Sequence, residues 1–298
     1  VIGVGFDSMA STLLGVDKYG DPITPIFTYA DTRSNQQVDQ IKNDFDEKIL
    51  HQQTGTAQHT SYVPSKIMWM KDNLNDYQEI DKFIDVSTYI YSKWFENPSF
   101  NASYSISSWS GLFDRNKLEW HAEFIKYLGI SEENLPNLNP YDKYEMGLNK
   151  KYLKRWKKLS DTPFFLSVGD GLAATVGSGC NNRNKIAITI GSTAAIRILS
   201  DSKVDKIPQG LWCYQLHSKY SLLGGSFSEG GNLINWANSN LKVPEINQLN
   251  DENFGTRDKR GHWKPFGTIS INPPKEIFYN PIKLIKYFFK FPGIFFPW

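Results

Sequence analysis

The chain has 298 residues, of which 40% are hydrophobic and 21% charged, and its net charge is +2. This composition is typical of a globular protein with a substantial core, and the length allows two domains of roughly 100–200 residues each. The balanced charge argues against nucleic acid or an anionic membrane as a partner, and the two cysteines, Cys180 and Cys213, are too few for a disulfide framework.

The first half of the chain predicts strands followed by helices. Apolar runs at residues 1–6, 11–17 and 23–30 have the length of strands, and Gly20-Asp21-Pro22 is a hairpin signal between the last two. Helical spacing of apolar residues predicts helices over residues 36–50 and 64–74. Residues 82–95 are predicted as a buried strand or a short helix. A Ser-rich turn then precedes a helix, containing Leu118 and Phe124, that Gly129 ends.

The second half alternates strands and helices more clearly. After a Lys-rich helix at residues 150–159, strands are predicted at 164–168, 185–191 and 194–199, with a helix of small residues after the first. A second region begins near residue 201, with apolar segments at 210–216 and 220–226 and a helix over 228–238. The aromatic C-terminal segment is interrupted by Lys283, Lys286 and Lys290, so no transmembrane helix is predicted. The alternation predicts a mixed α/β architecture.

Asp170 stands between Gly169 and Gly171 at the end of a predicted strand. An aspartate just before a helix commonly caps its N-terminus, which explains this residue without any function. The functional alternative is that the carboxyl ends of strands in α/β sheets are where ligands bind, and that small neighbours let a ligand approach. Asp170 is therefore a candidate general base.

A turn of Gly191, Ser192 and Thr193 joins the predicted strands at residues 185–191 and 194–199. It is either an ordinary hairpin turn or an anion nest, in which successive backbone N–H groups and two hydroxyls bind a phosphate. Its position shortly after Asp170 favours the nest, because phosphoryl transfer needs a base and a phosphate cradle facing each other.

Two further motifs have both structural and functional explanations. Asp31 and Arg33 form either a surface ion pair worth about 0–1 kcal/mol or a clamp for a polyol. Gly224 and Gly225 open the segment GGSFSEGG, which matches neither a P-loop nor a dinucleotide fingerprint. These glycines let a strand pass close to a neighbour, and they are also candidates for nucleotide contact.

In this order the motifs resemble the FGGY family of carbohydrate kinases, in particular its gluconate-kinase-like and xylulokinase-like branch. Residues 2–34 are similar to the segment of the family that runs from a core strand to a W/Y-x-D-x-R motif. VGDGLAATVGSGC (168–180) is similar to its catalytic glycine-aspartate signature, and AITIGSTAAIRI (187–198) to its phosphate turn. The resemblance extends over about residues 1–236.

The resemblance implies an α/β protein with the actin-like, ribonuclease H-like two-domain fold of sugar kinases, its C-terminal domain incomplete. Residues 1–200 would form the sugar-binding domain without its first strands, and residues 201–298 part of the nucleotide-binding domain with an atypical tail. It implies a cytoplasmic transferase that uses ATP and Mg²⁺ to phosphorylate a sugar or sugar acid, without nucleic acid or membrane partners, and it allows a homodimer.

The resemblance also assigns roles by position, without a protein metal ligand. The candidate residues are Asp170 as general base; Asp31, Arg33, Ser8, Met9 and Ser11 for the sugar; and Gly191, Ser192, Thr193, Gly224 and Gly225 for the phosphate and nucleotide.

Parts of the family pattern are missing, which keeps alternatives open. The N-terminal Asp-x-Gly-Thr strand and the glycine pair that grips adenosine are absent, so the chain is either an active kinase or a catalytically incompetent fragment that acts at most as a sugar-binding module. Ser11 stands where related pentulose kinases carry histidine, which counts against a ketopentose. Gluconate fits the resemblance, with Arg33 against its carboxylate, and xylulose and similar polyols stay as alternatives. A glycoside hydrolase ranks lowest, because it needs two carboxylates about 5–10 Å apart and only Asp170 is well placed.

Overall fold

The structure, a computed structural model, describes residues 1–96, 100–191, 193–227, 230 and 231, and the backbone of 269–271. This part of the chain forms two compact units, and the chain passes between them within a helix after residue 173. Unit 1 is Val1–Ala173, Ser202–Ile207 and Trp212–Ser221; unit 2 is Ala174–Asp201, Pro208–Leu211 and the described residues from Leu222 on. The division of sugar and nucleotide binding between residues 1–200 and 201–298 stays a prediction.

Short elements make up both units. The helices are α1 (Asn35–Asp44), α2 (Glu47–Thr54), α3 (Val63–Asn73), α4 (Val86–Trp94), α5 (Tyr104–Ser108), α6 (Ala122–Leu128), α7 (Lys150–Leu153) and α8 (Asp170–Gly177), with 3-10 turns at Tyr77–Glu79, Glu132–Asn134 and Lys157–Leu159. The strands are β1 (Asp7–Ser8), β2 (Leu14–Val16), β3 (Lys82–Ile84), β4 (Asn101–Ser103), β5 (Phe113–Asp114), β6 (Glu119–Trp120), β7 (Asn137–Asn139), β8 (Tyr144–Glu145), β9 (Phe164–Phe165), β10 (Val168–Gly169), β11 (Ile186–Ile190), β12 (Ala194–Ser200), β13 (Trp212–Gln215), β14 (Ser221–Phe227) and β15 (Ile269–Ile271).

The predicted strand at residues 23–30 is wrong. This segment makes one isolated bridge, between Phe27 and Leu13. Pro22 and Pro25 lack the backbone N–H that a regular ladder requires, which explains why the pairing stays sparse. The turn before it is confirmed, since Gly20 has a φ of +78°.

The helix predicted over residues 36–50 is two helices, α1 and α2. Asp46 separates them, because its side chain accepts hydrogen bonds from the backbone N–H groups of Lys48 and Ile49 and so caps α2. Residues 82–95 contain both of the predicted alternatives, strand β3 and helix α4. Leu118 lies outside α6, in the turn between β5 and β6, whereas Gly129 ends α6 as predicted with a φ of +71°.

Two hydrophobic clusters support the elements of unit 1. The larger one packs α3 and α6 against β5, with Ile67, Phe113 and Phe124 fully buried. The second includes Phe164 and Leu166, which lead directly into β10. Burial of these two side chains fixes the segment that ends at Asp170. The predicted strand over residues 164–168 is divided into β9, which pairs with β8, and β10, which pairs with β1.

Unit 2 is built on antiparallel strands. In order, β14, β12, β11 and β15 are neighbours in one sheet. The predicted hairpin is confirmed, since Ile190 of β11 lies opposite Ala194 of β12. The helix predicted over residues 228–238 lies outside the described residues except at Gly230 and Gly231. Within the described part of the chain, no helix combines the length and hydropathy needed to cross a membrane.

Candidate active site

Asp170 lies where two parallel strands of unit 1 end. Ser8 of β1 is opposite Gly169 of β10, so Met9 and Asp170 are the next residues along the two strands. Asp170 is exposed, and so is 44% of Met9. Since ligands bind at the carboxyl ends of parallel strands in α/β proteins, this edge brings a reachable carboxylate close to two of the residues predicted to contact the sugar.

The capping explanation of Asp170 also holds. Its carboxylate Oδ1 accepts a hydrogen bond from the backbone N–H of Gly171 at 2.7 Å, so it satisfies one donor at the start of α8. A carboxylate has about four lone-pair sites. Capping therefore leaves Asp170 free to accept a further hydrogen bond from a substrate hydroxyl.

Packing against an indole requires the glycine before Asp170. A Cβ atom on Gly169 would lie 2.9 Å from Nε1 of Trp109. The backbone N–H of Gly169 donates to Oγ of Ser105 at 3.2 Å. The sequence predicted small residues here to leave room for a ligand, but at Gly169 the space is filled by Trp109. The absence of a Cβ atom at Gly169 therefore allows β10 to pack closely against α5 and Trp109.

Ser11 connects the turn after β1 to the same tryptophan. Its φ is +56°, in the left-handed region that non-glycine residues seldom adopt. Its Oγ donates to the carbonyl oxygen of Trp109 at 2.7 Å, which stabilises the strained turn. The Ser11 hydroxyl proton is thus used by the protein, and the hydroxyl oxygen is the group left for a ligand.

Asp31 and Arg33 form a closely bonded ion pair in which the Arg33 side chain is 49% exposed. Nη2 of Arg33 lies 2.5 Å from Oδ2 of Asp31, and Nε lies 3.1 Å from both carboxylate oxygens. The guanidinium also lies 4.5 Å from the ring centroids of Phe27 and Trp69. Hydrogen bonding by Arg33 lowers the pKa of Asp31 below its usual value. The carboxylate therefore stays charged, and its orientation is fixed by a planar fork.

Lys66 was missed by the sequence-based prediction and links these two parts of the site. It is only 1% exposed, and its Nζ donates to the carbonyl oxygens of Ser11 at 3.1 Å and Ser61 at 2.8 Å. Its charge also contributes to lowering the pKa of Asp31. The signal was present in the sequence, because Lys66 falls at helical spacing between the apolar residues Val63 and Met70.

An aromatic stack supports Trp109. Its ring lies 3.9 Å from that of Tyr214, and Tyr214 lies 4.5 Å from Trp212, both in stacked geometry. The hydroxyls of Tyr62 and Tyr214 are 3.0 Å apart, and burial raises the pKa of Tyr62 to about 12. These rings pack against one another within unit 1. Tyr29, by contrast, is 57% exposed and lies two residues before Asp31.

The predicted phosphate turn lies in unit 2. The backbone N–H of Gly191 donates to the carbonyl oxygen of Thr193 at 2.7 Å, which closes the turn. Ser192 is outside the described residues. The carbonyl oxygen of Gly191 accepts from the backbone N–H of Gly231 at 2.7 Å, and a Cβ on Gly230 would lie 2.7 Å from the oxygen of Thr193. A second glycine pair therefore packs directly on this turn.

Gly224 and Gly225 occupy buried positions inside β14. This placement fits the structural explanation, a strand that passes close to a neighbour, and their contact with a nucleotide stays a prediction. Gly230 and Gly231, at the end of the same motif, are the glycines that touch the turn at residues 191–193. The sequence-based candidate list omitted them, although the repeated Gly-Gly pair was visible.

Six of the candidate residues thus belong to one compact unit. The β1–β10 pairing joins Ser8 and Met9 to Asp170, and Lys66 joins the Ser11 turn to Asp31 and Arg33. In the part of the chain that the structure describes, no group of three or more His, Cys, Asp or Glu could hold a metal ion by itself. Two carboxylates belong to this region, Asp7 on β1 and Asp170 directly after β10, the strand that pairs with β1.

Comparison with known proteins shows the family to which the chain belongs. Residues 1–177 match the model of the FGGY family of carbohydrate kinases, N-terminal domain. The gluconokinase of Bacillus subtilis (strain 168) is 26% identical over 244 residues, which cover 82% of this chain and 47% of that protein. The chain thus spans about half the length of the curated relatives that it matches.

Solved kinase structures share the fold. The gluconate kinase of Lactobacillus acidophilus superposes with a TM-score of 0.76 at 24% identity, over 82% of this chain and 50% of that one. The ligand-bound xylulose kinase of the same organism gives a TM-score of 0.75 at 24% identity, over 80% of this chain and 49% of that one. The described units therefore have the actin-like α/β fold predicted from the sequence.

Proposed function

This chain belongs to the FGGY family of carbohydrate kinases, and on that premise we propose that it takes part in the ATP-dependent phosphorylation of a sugar or sugar acid. The observation that carries the proposal is the parallel pairing of β1 with β10. It sets the exposed carboxylate of Asp170 directly after Gly169, opposite the end of the strand that carries Ser8 and Met9. A ligand hydroxyl bound at this edge would lie near the carboxylate of Asp170, which could accept its proton.

In this proposal Asp170 is the general base. It accepts the proton of the attacking hydroxyl as the oxygen forms its bond to the γ-phosphorus of ATP, and ADP leaves. Such assistance typically contributes 10²–10⁴-fold to the rate. Two features support the assignment: the carboxylate is exposed, and its position is fixed by the first turn of α8 and by the packing of Gly169 on Trp109.

Asp31 and Arg33 bind and orient the sugar in the same proposal. The carboxylate of Asp31 accepts hydrogen bonds from hydroxyls, and Arg33 offers the N–H groups that its fork to Asp31 leaves free. Both side chains are held before the ligand arrives, by each other and by Phe27 and Trp69. Preorganisation of this kind lowers the entropy lost on binding.

The phosphate would be received by backbone groups of unit 2. We assign this role to the turn at Gly191, Ser192 and Thr193, supported by the glycine pair that packs on it. Mg²⁺ usually binds one or two carboxylates together with substrate phosphates, and Asp7 and Asp170 fit that donor set. When bound, the ion would neutralise phosphate charge.

A sugar acid is our preferred substrate class. The matched relatives include gluconokinases, and solved structures of similar fold include gluconate and xylulose kinases. Ser11, in place of the histidine of pentulose kinases, supports gluconate over a ketopentose.

The direct experiment is an ADP-release assay on this chain with ATP–Mg²⁺ and a panel of gluconate, xylulose and glycerol. We expect gluconate-dependent ADP release. No release with any acceptor, together with no binding of any acceptor by calorimetry, would overturn the proposal.

A sugar-binding module without catalysis is the second candidate. It is favoured by one observation, that all the predicted sugar-contacting residues and Asp170 belong to unit 1. Calorimetric titration with ATP–Mg²⁺ separates the two candidates. Sugar binding without nucleotide binding supports the module, and clear nucleotide affinity supports the kinase.

A further inference from the structure

Lys66 is a buried lysine that the proposed reaction does not use. It lies on the face of α3 that enters the core, and the next residue, Ile67, is fully buried, as is Met70 one turn on. Removing an ammonium group from water is costly unless it gains hydrogen bonds and a compensating charge. A leucine or methionine would fill this position without that cost. We therefore expect the positive charge of Lys66, or its N–H donors, to have a specific role.

The donors of Lys66 tie together two turns around the predicted sugar site. One N–H donates to the carbonyl oxygen of Ser11, in the left-handed turn that follows β1. Another donates to the carbonyl oxygen of Ser61, whose own hydroxyl donates to the carbonyl oxygen of Tyr29 at 2.9 Å. Lys66 thus holds the backbone at Ser11 directly. Through Ser61 it also holds the backbone at Tyr29, shortly before Asp31.

The charges around Lys66 do not cancel. The carboxylate of Asp31 is already paired with the guanidinium of Arg33, so those two groups together are neutral. Burial, with the charges of Lys42 and Lys66, lowers the pKa of His59, which stays uncharged at neutral pH. Asp31 is the charged group that acts on Lys66 in the described structure. Asp31, Arg33 and Lys66 together therefore carry one net positive charge.

We infer that Lys66 is a positioning and specificity residue of the sugar site, and that its positive charge selects a carboxylate-bearing sugar acid over the neutral polyol of the same length. This inference rests on the proposed function and adds the electrostatic reason for the substrate class. Lys66 need not touch the substrate. It acts through the Ser11 and Ser61 turns and through the excess charge that it brings to the Asp31–Arg33 pair.

The charge of Lys66 can be removed by pH. Burial lowers the pKa of Lys66 to about 8, and Asp31 opposes this shift only in part. The ammonium is thus mostly charged at pH 7 and mostly neutral at pH 9.5. The groups facing it, Asp31 and Arg33, keep their charges over this range, since the pKa of Asp31 is lowered and that of Arg33 is raised. His59 is neutral throughout.

The test compares gluconate with D-glucitol, which has the same six-carbon chain and a CH₂OH group in place of the carboxylate. Their affinities for this chain are measured by calorimetry at pH 7 and pH 9.5 and constant ionic strength. We expect the ratio of gluconate to glucitol affinity in the wild type to fall about fivefold or more over this range. In Lys66→Met the ratio should be low at both pH values, and in Lys66→Arg it should be high at both, because arginine does not titrate.

Lys42→Met is the matched control, because it removes an exposed lysine that influences His59 without the buried contacts of Lys66. Its affinity ratio should follow the wild type. A ratio that does not change with pH in the wild type, or a wild-type ratio in Lys66→Met, overturns the inference while leaving the proposed function intact. Should Lys66→Met fail to fold, the wild type and Lys66→Arg still test the inference. The gluconate-to-glucitol affinity ratio should fall with pH in the wild type and stay high in Lys66→Arg. Absence of binding of both compounds overturns the sugar-acid substrate class on which the inference rests, whereas the proposed function is decided by the full acceptor panel.

Discussion

The region around Asp31, Arg33 and Lys66 in unit 1, where we propose that the sugar binds, and the glycine turn of unit 2 are stabilised by different kinds of contact. Around Asp31, Arg33 and Lys66, charged side chains are held by hydrogen bonds, aromatic rings and burial. Around Gly191 and Thr193, the contacts are between backbone atoms, and glycines allow the close approach. Side chains can distinguish sugars that differ in their hydroxyl and carboxylate groups. Backbone N–H groups are suited to binding the phosphate, which is the same whichever sugar is phosphorylated. The predictions below test this contrast.

The largest effect is expected at Asp170. Asp170→Asn keeps the hydrogen-bonding shape but removes the base, so the turnover number should fall by about 10²–10⁴-fold while sugar affinity stays within about threefold. Asp46→Asn is the control, because Asp46 also caps a helix, α2, and lies outside the site. Near wild-type turnover in Asp170→Asn, measured by ADP release, would remove this residue from the base role.

The burial of Lys66 predicts an unusual dependence of stability on pH. Its pKa is about 8 in the folded chain and near 10.5 in the unfolded one, so the unfolded chain binds more protons between these values. Stability therefore rises with pH in this range. Relative to Lys66→Met, the free energy of unfolding of the wild type should increase by about 2 kcal/mol from pH 7 to 9.5. Urea unfolding of both proteins at the two pH values measures this difference. Parallel behaviour of the two would mean that Lys66 titrates normally.

The glycine turn should be sensitive to a single methyl group. In Gly230→Ala the new Cβ would lie 2.7 Å from the backbone oxygen of Thr193, which cannot move aside as a flexible side chain could. We expect the free energy of unfolding to fall by about 1–2 kcal/mol. Gly177→Ala is the matched control, since a Cβ there meets no atom within 4 Å. Equal stabilities of the two variants in denaturant titrations would show that the close approach is not made.

The Asp31–Arg33 pair should tolerate even a conservative change poorly. Arg33→Lys keeps the charge but loses the planar fork and the contact with the faces of Phe27 and Trp69, so sugar affinity should fall about fivefold. Lys93→Met serves as the control, because Lys93 forms an ion pair with the exposed Asp21, outside the proposed sugar site. A sugar affinity that is unchanged in Arg33→Lys, measured by calorimetry, would show that Asp31 and Arg33 form an ordinary surface ion pair without a role in sugar binding.

Local signals in the sequence predicted local structure well. Gly20 and Gly129 supply the positive φ values of a turn and a helix end, and the β11–β12 hairpin follows from two apolar runs around residues 191–193. The failures came where one residue changes a long pattern: Asp46 caps a new helix inside a continuous helical spacing, and Pro25 prevents a regular strand. Each of these effects depends on a single side chain and not on periodicity.

The site was only partly predictable, for a physical reason. Asp31, Arg33 and Asp170 belong to motifs with recognisable spacing, so the sequence identified them as candidates, and their roles stay predictions. Lys66 acts on Ser11, 55 positions earlier in the chain, and its role exists only after α3 packs beneath that turn. Trp109 likewise explains Gly169 only through a contact between distant segments. Tertiary contacts of this kind leave no local pattern.

The central claim, that a sugar acid binds at the β1–β10 edge, can be tested through the methionines. The chain has 4 of them, Met9, Met68, Met70 and Met146, so labelling their ε-methyl carbons with ¹³C gives a simple NMR spectrum. On titration with gluconate, the signal of Met9 should shift, whereas that of the equally exposed Met146 should not. A spectrum in which Met9 stays fixed while gluconate binds would contradict the account.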